Sequence, residues 1–384
     1  MGSSQGGETM TAEPQQKRLL SLDAFRGLTI AGMILVNNPG DWSHVYWPLR
    51  HAQWNGWTPT DWIFPFFLFI MGVAMALSLK RREAGGAGRA ELWKQVFKRT
   101  AVLFGLGLML NGYPRFDLAH LRIMGVLQRI ALCYLVVSSV LLALPRRRYQ
   151  WLAMAAIVAL YLGIMYGVDV PGHGRGVLTA EGHASGYLDR LILGAAHLWS
   201  GTRVYDPEGL VSTLPAIFTA FLGFWFGRVL VERPSHRDRL RQWLIYGGGL
   251  LVAGQLAHFI MPINKQLWTP SYVLFMGGLG GLFLAGCYWL IEVRGRAQWS
   301  RPFVMLGRNP LFIFWLSGFL ARNLLLIKLT TADGPKSLWS LLYRAGFLPF
   351  LSDINASLAF AFTNVVFWLL VAWLMVRRRW FIKI

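Results

Sequence analysis

The feature that most constrains this chain is a succession of long apolar runs separated by short loops that are basic at every second turn. Each run approaches the ~20 residues that a helix needs to cross a ~30 Å hydrocarbon layer. In lipid the backbone must satisfy its own hydrogen bonds, so such runs are helices. Charged residues make up 15% of the chain, against about 25% in a soluble domain, and 55% of the residues are hydrophobic. The expected fold class is all-α: a polytopic membrane helix bundle of about ten transmembrane helices, seated in a lipid bilayer with both termini cytoplasmic.

The runs place helices at 24–38, 60–79, 96–112, 121–144, 151–168, 210–231, 242–261, 271–292, 303–326 (broken at Asn309-Pro310) and 355–376. Arg/Lys clusters fall at KRREAGGAGR, PRRR, RPSHRDRLR, VRGRAQWSR and the terminal RRRWFIKI, so those turns are assigned to the cytoplasm. The segment 169–208 lies outside and includes YLDRLILGAAHLW, too short to span and read as an interfacial helix. Residues 1–19 read as a disordered tail whose first nine residues are a tag scar, and 20–384 as one transmembrane domain.

The net charge of +20 invites a nucleic-acid partner. Position argues against one, because the basic residues sit in alternate short loops and not in a soluble block interleaved with aromatics. The 18 tryptophans suit interfacial belts. Cys133 and Cys287 both lie inside apolar runs, and neither a disulfide framework nor a metal-ligand spacing is present; no metal is expected. P-loop, GxGxxG and GxSxG patterns are also missing, which leaves ATP-driven transport and serine hydrolysis without support.

Polar residues at helix ends carry the functional signal. His51 lies in the loop between the first two helices, near Asn37, Asn38, Asn55 and Asp61. An imidazole titrates near neutrality and is the usual general base, although eight histidines are present and an ordinary loop role is the bland alternative. Asp23 and Arg26 share a face of helix one at its cytoplasmic end: either a cap with an interfacial anchor or an anion site for a phosphate-bearing ligand. With helix four beginning at 121, Gln128 and Arg129 lie ~10–12 Å deep, lining a polar cavity or forming an ion pair with Asp61 or Asp117. Asp206 and Glu208, in DPEGL, suit a cationic amine or sugar hydroxyls, and Asn264 and Lys265, in INKQLWTPS, suit hydroxyls or a carboxylate. Capping and anchoring explain either pair equally well. Arg308 and Asn309, in GRNP, mark a Pro-kinked helix or a cytoplasmic site. An amino-sugar transporter fits ten helices with a broken ninth as well as an enzyme does.

SLDAFRG, VNN, HAQWNGWTPTD, FPFFLF, LQRIALCY, DPEGL, NKQLWT and GRNP occur in this order. Through them the chain resembles the heparan-α-glucosaminide N-acetyltransferase family over nearly its whole length, as a bacterial member. The resemblance implies a multi-pass acetyltransferase of the bacterial cytoplasmic (inner) membrane, assembled as a homodimer. It would move an acetyl group from cytosolic acetyl-CoA to the amine of a glucosamine-type sugar on the other side. The family's active-site histidine falls on His51 and its asparagine on Asn37. The spacer between them is longer than in the animal enzymes, which keeps Asn38 as the alternative, and Asn55 stands where many bacterial relatives carry histidine. On this reading Asp61 fixes the imidazole, Asp23, Arg26, Gln128, Arg129, Arg308 and Asn309 attend the CoA, and Asn38, Asn55, Asp206, Glu208, Asn264 and Lys265 attend the sugar.

Overall fold

The computed structural model describes residues 19–86, 88–332 and 334–382, so the proposed tail, apart from Leu19, lies outside the described residues. The chain forms an all-α membrane bundle: α1 (Leu20–Asn37), α2 (Ile63–Ala84), α3 (Arg89–Gly112), α4 (Val126–Ala143), α5 (Arg147–Gly167), α6 (Ala184–Leu193), α7 (Leu210–Glu232), α8 (His236–Ala257), α9 (Pro270–Tyr288), α10 (Arg301–Arg308), α11 (Pro310–Leu326), α12 (Leu338–Gly346) and α13 (Asp353–Arg377). Every one of the ten expected runs is helical. Among the described residues seven are long and apolar enough to cross a bilayer, and the pair Gln298–Arg308 and Pro310–Leu326, bent through 74°, is a broken span or a re-entrant loop. Helices α3 and α8 begin with charged turns, which shortens their apolar stretch.

The bundle is built from pairs: α2 on α7, α8 on α9, α1 on α10 and α3 on α4. The α2–α7 pair depends on glycine. A Cβ at Gly72 would meet the Ala220 carbonyl oxygen, and one at Gly223 would meet that of Phe69. Between membrane helices, where lipid is as apolar as leucine, close backbone approach supplies much of the association. Cys133 and Cys287 are both free and buried, as small core hydrophobes.

Three expectations change. First, α4 starts at Val126, not 121, because 121–125 is extended: Ile123 N donates to His197 O (3.1 Å), and Asn111 Nδ2 donates to the carbonyls of Arg122 (3.0 Å) and Met124 (3.3 Å). Gln128 and Arg129 therefore sit in the first turn of α4 and not two turns inside it. Second, the short helix in 169–208 is α6, and the HLW end of its sequence leaves it through Gly194, at φ 84°. Third, 328–352 carries a two-stranded hairpin, Lys328–Thr331 against Gly334–Ser337, followed by α12.

Candidate active site

The loop between α1 and α2 ends in a 3-10 turn, Pro59–Trp62, capped by Thr58. That turn aims the Asp61 carboxylate back into the loop. Oδ2 accepts from Ala52 N (3.0 Å), Thr58 N (3.0 Å) and Thr58 Oγ1 (3.1 Å). Oδ1 lies 2.7 Å from His51 Nδ1 and 3.3 Å from Lys265 Nζ. The Tyr272 hydroxyl, from α9, donates to the Asp61 carbonyl at 2.7 Å. The carboxylate side chain is 1% exposed and the imidazole 44%. An acceptor-only carboxylate at 2.7 Å draws the ring proton to Nδ1 and leaves the Nε2 lone pair to the open side. Lys265 Nζ also lies 3.0 Å from Nδ1. Since Nδ1 carries the proton, the ammonium is held by the shared carboxylate.

His51 opens on a cavity of ≈ 130 Å³. Asn37, Thr60, Glu208 and Lys265 are its other polar walls, and Met33, Ile63, Phe64, Val126 and Phe314 are among the apolar ones. Asn37 is exposed into this space, whereas Asn38 is buried and its amide donates to Ile34 O at 2.7 Å. Of the two asparagines, Asn37 is the one placed to meet a ligand.

A second cavity, of ≈ 220 Å³, is lined by Arg26, Arg99 and Arg308. Phe67, Ile130 and Leu311 line both cavities, so a neck one side chain thick separates them. Arg26 and Asn37 are eleven residues apart on α1, which at 1.5 Å per residue puts the two ends ~16 Å from each other. Arg26 is tied to Asp23 Oδ1 (3.0 Å) and to Gly307 O (3.2 Å). The buried Nε of Arg99 and that of Arg308 have no hydrogen-bond partner. Buried guanidinium donors without acceptors are costly, and an anionic ligand would satisfy them. Arg99 does not stand out in the sequence, because FKRT reads as the end of an amphipathic, basic lead. Its place at the edge of the apolar stretch was the available signal.

The remaining candidates are placed as follows. Arg122 forks onto Asp206 (Nε–Oδ2 2.8 Å, Nη2–Oδ1 2.6 Å), and Nη2 also meets Glu208 Oε2 at 2.6 Å. Asp206 further accepts from the backbone of Trp199 and of Glu208, so its oxygens are occupied. Glu208 alone of the pair faces the cavity. Burial acts to raise its carboxyl, and Arg122 and Arg129 overcome that and hold it below the usual range. Lys265 behaves inversely: burial lowers its ammonium, against the pull of Asp61 and Glu208.

Arg129 is fully buried and pairs with neither Asp61 nor Asp117. It donates to Thr213 Oγ1 (3.2 Å), Ser212 Oγ and Gly209 O (3.3 Å), pinning the start of α7, and it lies 4.8 Å above the Trp268 ring. Asp117 pairs with His120. Gln128 is buried beside Gly107 with its Nε2 unpartnered. Asn264 Nδ2 donates to Asn55 Oδ1 at 3.1 Å, locking the α8–α9 loop to the His51 loop outside the lining of either cavity. Asn309 is buried and bonded to backbone.

Fold and site together define a polytopic membrane protein with a carboxylate-oriented histidine facing a buried cavity and a cluster of arginines behind it. Residues 18–257 match the family model of the heparan-alpha-glucosaminide N-acetyltransferase catalytic region, and the chain belongs to that family. It is 32% identical over 352 residues to the human heparan-alpha-glucosaminide N-acetyltransferase, covering 77% of this chain and 52% of the human protein. The mouse protein of the same name is 30% identical over 358 residues, 79% of this chain and 54% of its own length. The chain thus spans about half the length of these curated relatives. The matched region holds His51, Asp61 and Glu208, while Lys265 and Leu311 lie beyond it.

Proposed function

We propose that this protein is a transmembrane acetyltransferase that moves an acetyl group from acetyl-CoA on the cytosolic side to the amine of a glucosamine-type sugar on the other. The observation that carries the proposal is the pair of cavities: one holding an Asp61-oriented His51, the other lined by three guanidinium groups, with a thin apolar neck between. Arg26, Arg99 and Arg308 suit the phosphates of a CoA nucleotide, which cannot enter lipid. The uncharged pantetheine arm suits the neck. Glu208 is the anionic wall toward which a sugar ammonium is drawn, and Lys265 keeps Asp61 charged.

The ammonium first gives up one proton to water, and the lone pair of the neutral amine so formed adds to the thioester carbonyl carbon as His51 Nε2 takes a second proton from that nitrogen. Asn37 donates to the oxyanion of the tetrahedral intermediate. The C–S bond then breaks, and the imidazolium returns its proton to the thiolate, leaving an N-acetyl sugar and CoA thiol. Asp61 holds Nδ1–H throughout, so the ring stays in one tautomer. A transient acetyl-His51 is the two-step form of the same chemistry. A positioned general base contributes ~10²–10⁴ in rate. Purified His51→Ala, checked for fold by its melting temperature, should bind CoA as the wild type does and lose acetyl transfer to glucosamine by that factor. Full transfer activity in this variant would refute both forms.

A further inference from the structure

The segment after α13 is turned back onto the bundle. Trp380 N donates to Met375 O (2.8 Å) and Arg379 N to Val376 O (3.0 Å), with Arg379 at φ 57°. This is the Schellman arrangement, whose left-handed position is usually glycine. An arginine there is strained, so something beyond the turn must hold it. Asn309 does so: its Nδ2 donates to Trp380 O and its Oδ1 accepts from Ile382 N, both at 2.9 Å. The Arg308 guanidinium lies 5.6 Å from the centre of the Phe381 ring. Ile382 then lines the same cavity as Arg26, Arg99 and Arg308. Asn309 itself does not line it. Its amide gives one N–H and its oxygen to the backbone of this segment, with Nδ2 also 4.0 Å from Met375 Sδ of α13, at the bend between α10 and α11.

We propose that the segment after α13 walls the acyl-CoA site through Ile382, and that Asn309 is a positioning residue that holds this segment in place and does not touch the ligand. The inference rests on the reading of the arginine-lined cavity as the donor site. Its consequence is that donor affinity depends on a strap added after the last helix as well as on the bundle. A packing role alone would lower stability without separating donor from acceptor kinetics.

The test compares wild type, a chain ending at Arg379, Asn309→Ala and Arg379→Gly. Isothermal titration gives Kd for CoA, and steady-state transfer gives KM for acetyl-CoA and for glucosamine. The shortened chain and Asn309→Ala should raise Kd for CoA and KM for acetyl-CoA by ~10-fold, with kcat and the glucosamine KM within ~2-fold of wild type. Arg379→Gly, which suits the left-handed turn, should match wild type. If Asn309→Ala does not fold, the shortened chain carries the test alone, since it removes no helical residue and only one capping bond, Trp380 N to Met375 O. Wild type binding CoA with the shortened chain binding it equally well would overturn this proposal alone. Wild type binding no CoA would overturn the donor reading and this proposal with it.

Discussion

Asp61 is the residue on which the centre turns. Five donors converge on one carboxylate: His51 Nδ1, Lys265 Nζ, Ala52 N, Thr58 N and Thr58 Oγ1. Replacing it by Asn substitutes a group that can present N–H to the imidazole and so favours the wrong tautomer. Asp61→Asn should lower kcat by ~10²–10⁴ with CoA affinity retained. The two neighbouring asparagines should separate cleanly. Asn37→Ala removes the proposed oxyanion donor and should cost ~10²–10³ in kcat. Asn38→Ala, which loses a bond at the end of its own helix, should lower the melting temperature and leave kcat nearly intact. Sequence made both eligible because they are adjacent; only the turn of the helix end tells them apart.

A different residue governs a pH effect. Burial raises the Asp189 carboxyl to about 7, although Leu210 N and Val211 N donate to Oδ1; Oδ2 has no partner. With the folded value above the unfolded one, the folded state holds a proton that the unfolded state has released. The stability Asp189 contributes is present at low pH and is lost as pH rises through about 7. Asp189→Asn keeps an acceptor for the start of α7 without the charge. It should therefore melt higher than wild type at pH ~8 and alike at pH ~4.

At the scale of elements, the break between α10 and α11 shapes the neck. Pro310 announced the break in the sequence, since a proline inside an apolar run removes a helical hydrogen bond. What it could not announce is that Leu311, one residue on, faces Phe67 and Ile130 between two cavities. Leu311→Trp should plug that neck: acetyl transfer falls by ~10-fold or more and KM for acetyl-CoA rises, since the arm loses its place. Equal transfer by this variant would mean the arm does not pass there. The start of α4 is hidden in the sequence for a related reason. Residues 121–125 are apolar enough to be read as helix, yet Asn111 and His197, remote in sequence, hold them extended. The 328–337 hairpin, short and largely exposed, has no alternating pattern to reveal it.

For the whole molecule, the spans were legible because lipid enforces both their length and their composition, and the basic loops marked alternate turns. The motif order was legible too, and it located His51, Asn37 and Asp61 together. The two cavities were not, because each is assembled from helices distant in sequence: α1, α2, α4 and α11 contribute to both. Neither was the role of Arg122, which takes both oxygens of Asp206 and one of Glu208, so that only Glu208 of the pair the sequence offered to the substrate still faces the cavity. The central claim is that one cavity serves each side of the membrane, and it predicts vectorial chemistry. The direct measurement uses proteoliposomes with labelled acetyl-CoA confined to the side of the Arg26 end and glucosamine to the side of the His51 end. Vectorial transfer yields labelled N-acetylglucosamine on the glucosamine side, with His51→Ala giving ~10²-fold less or lower still. Movement of unmodified glucosamine across the bilayer with no acetylated product would contradict it.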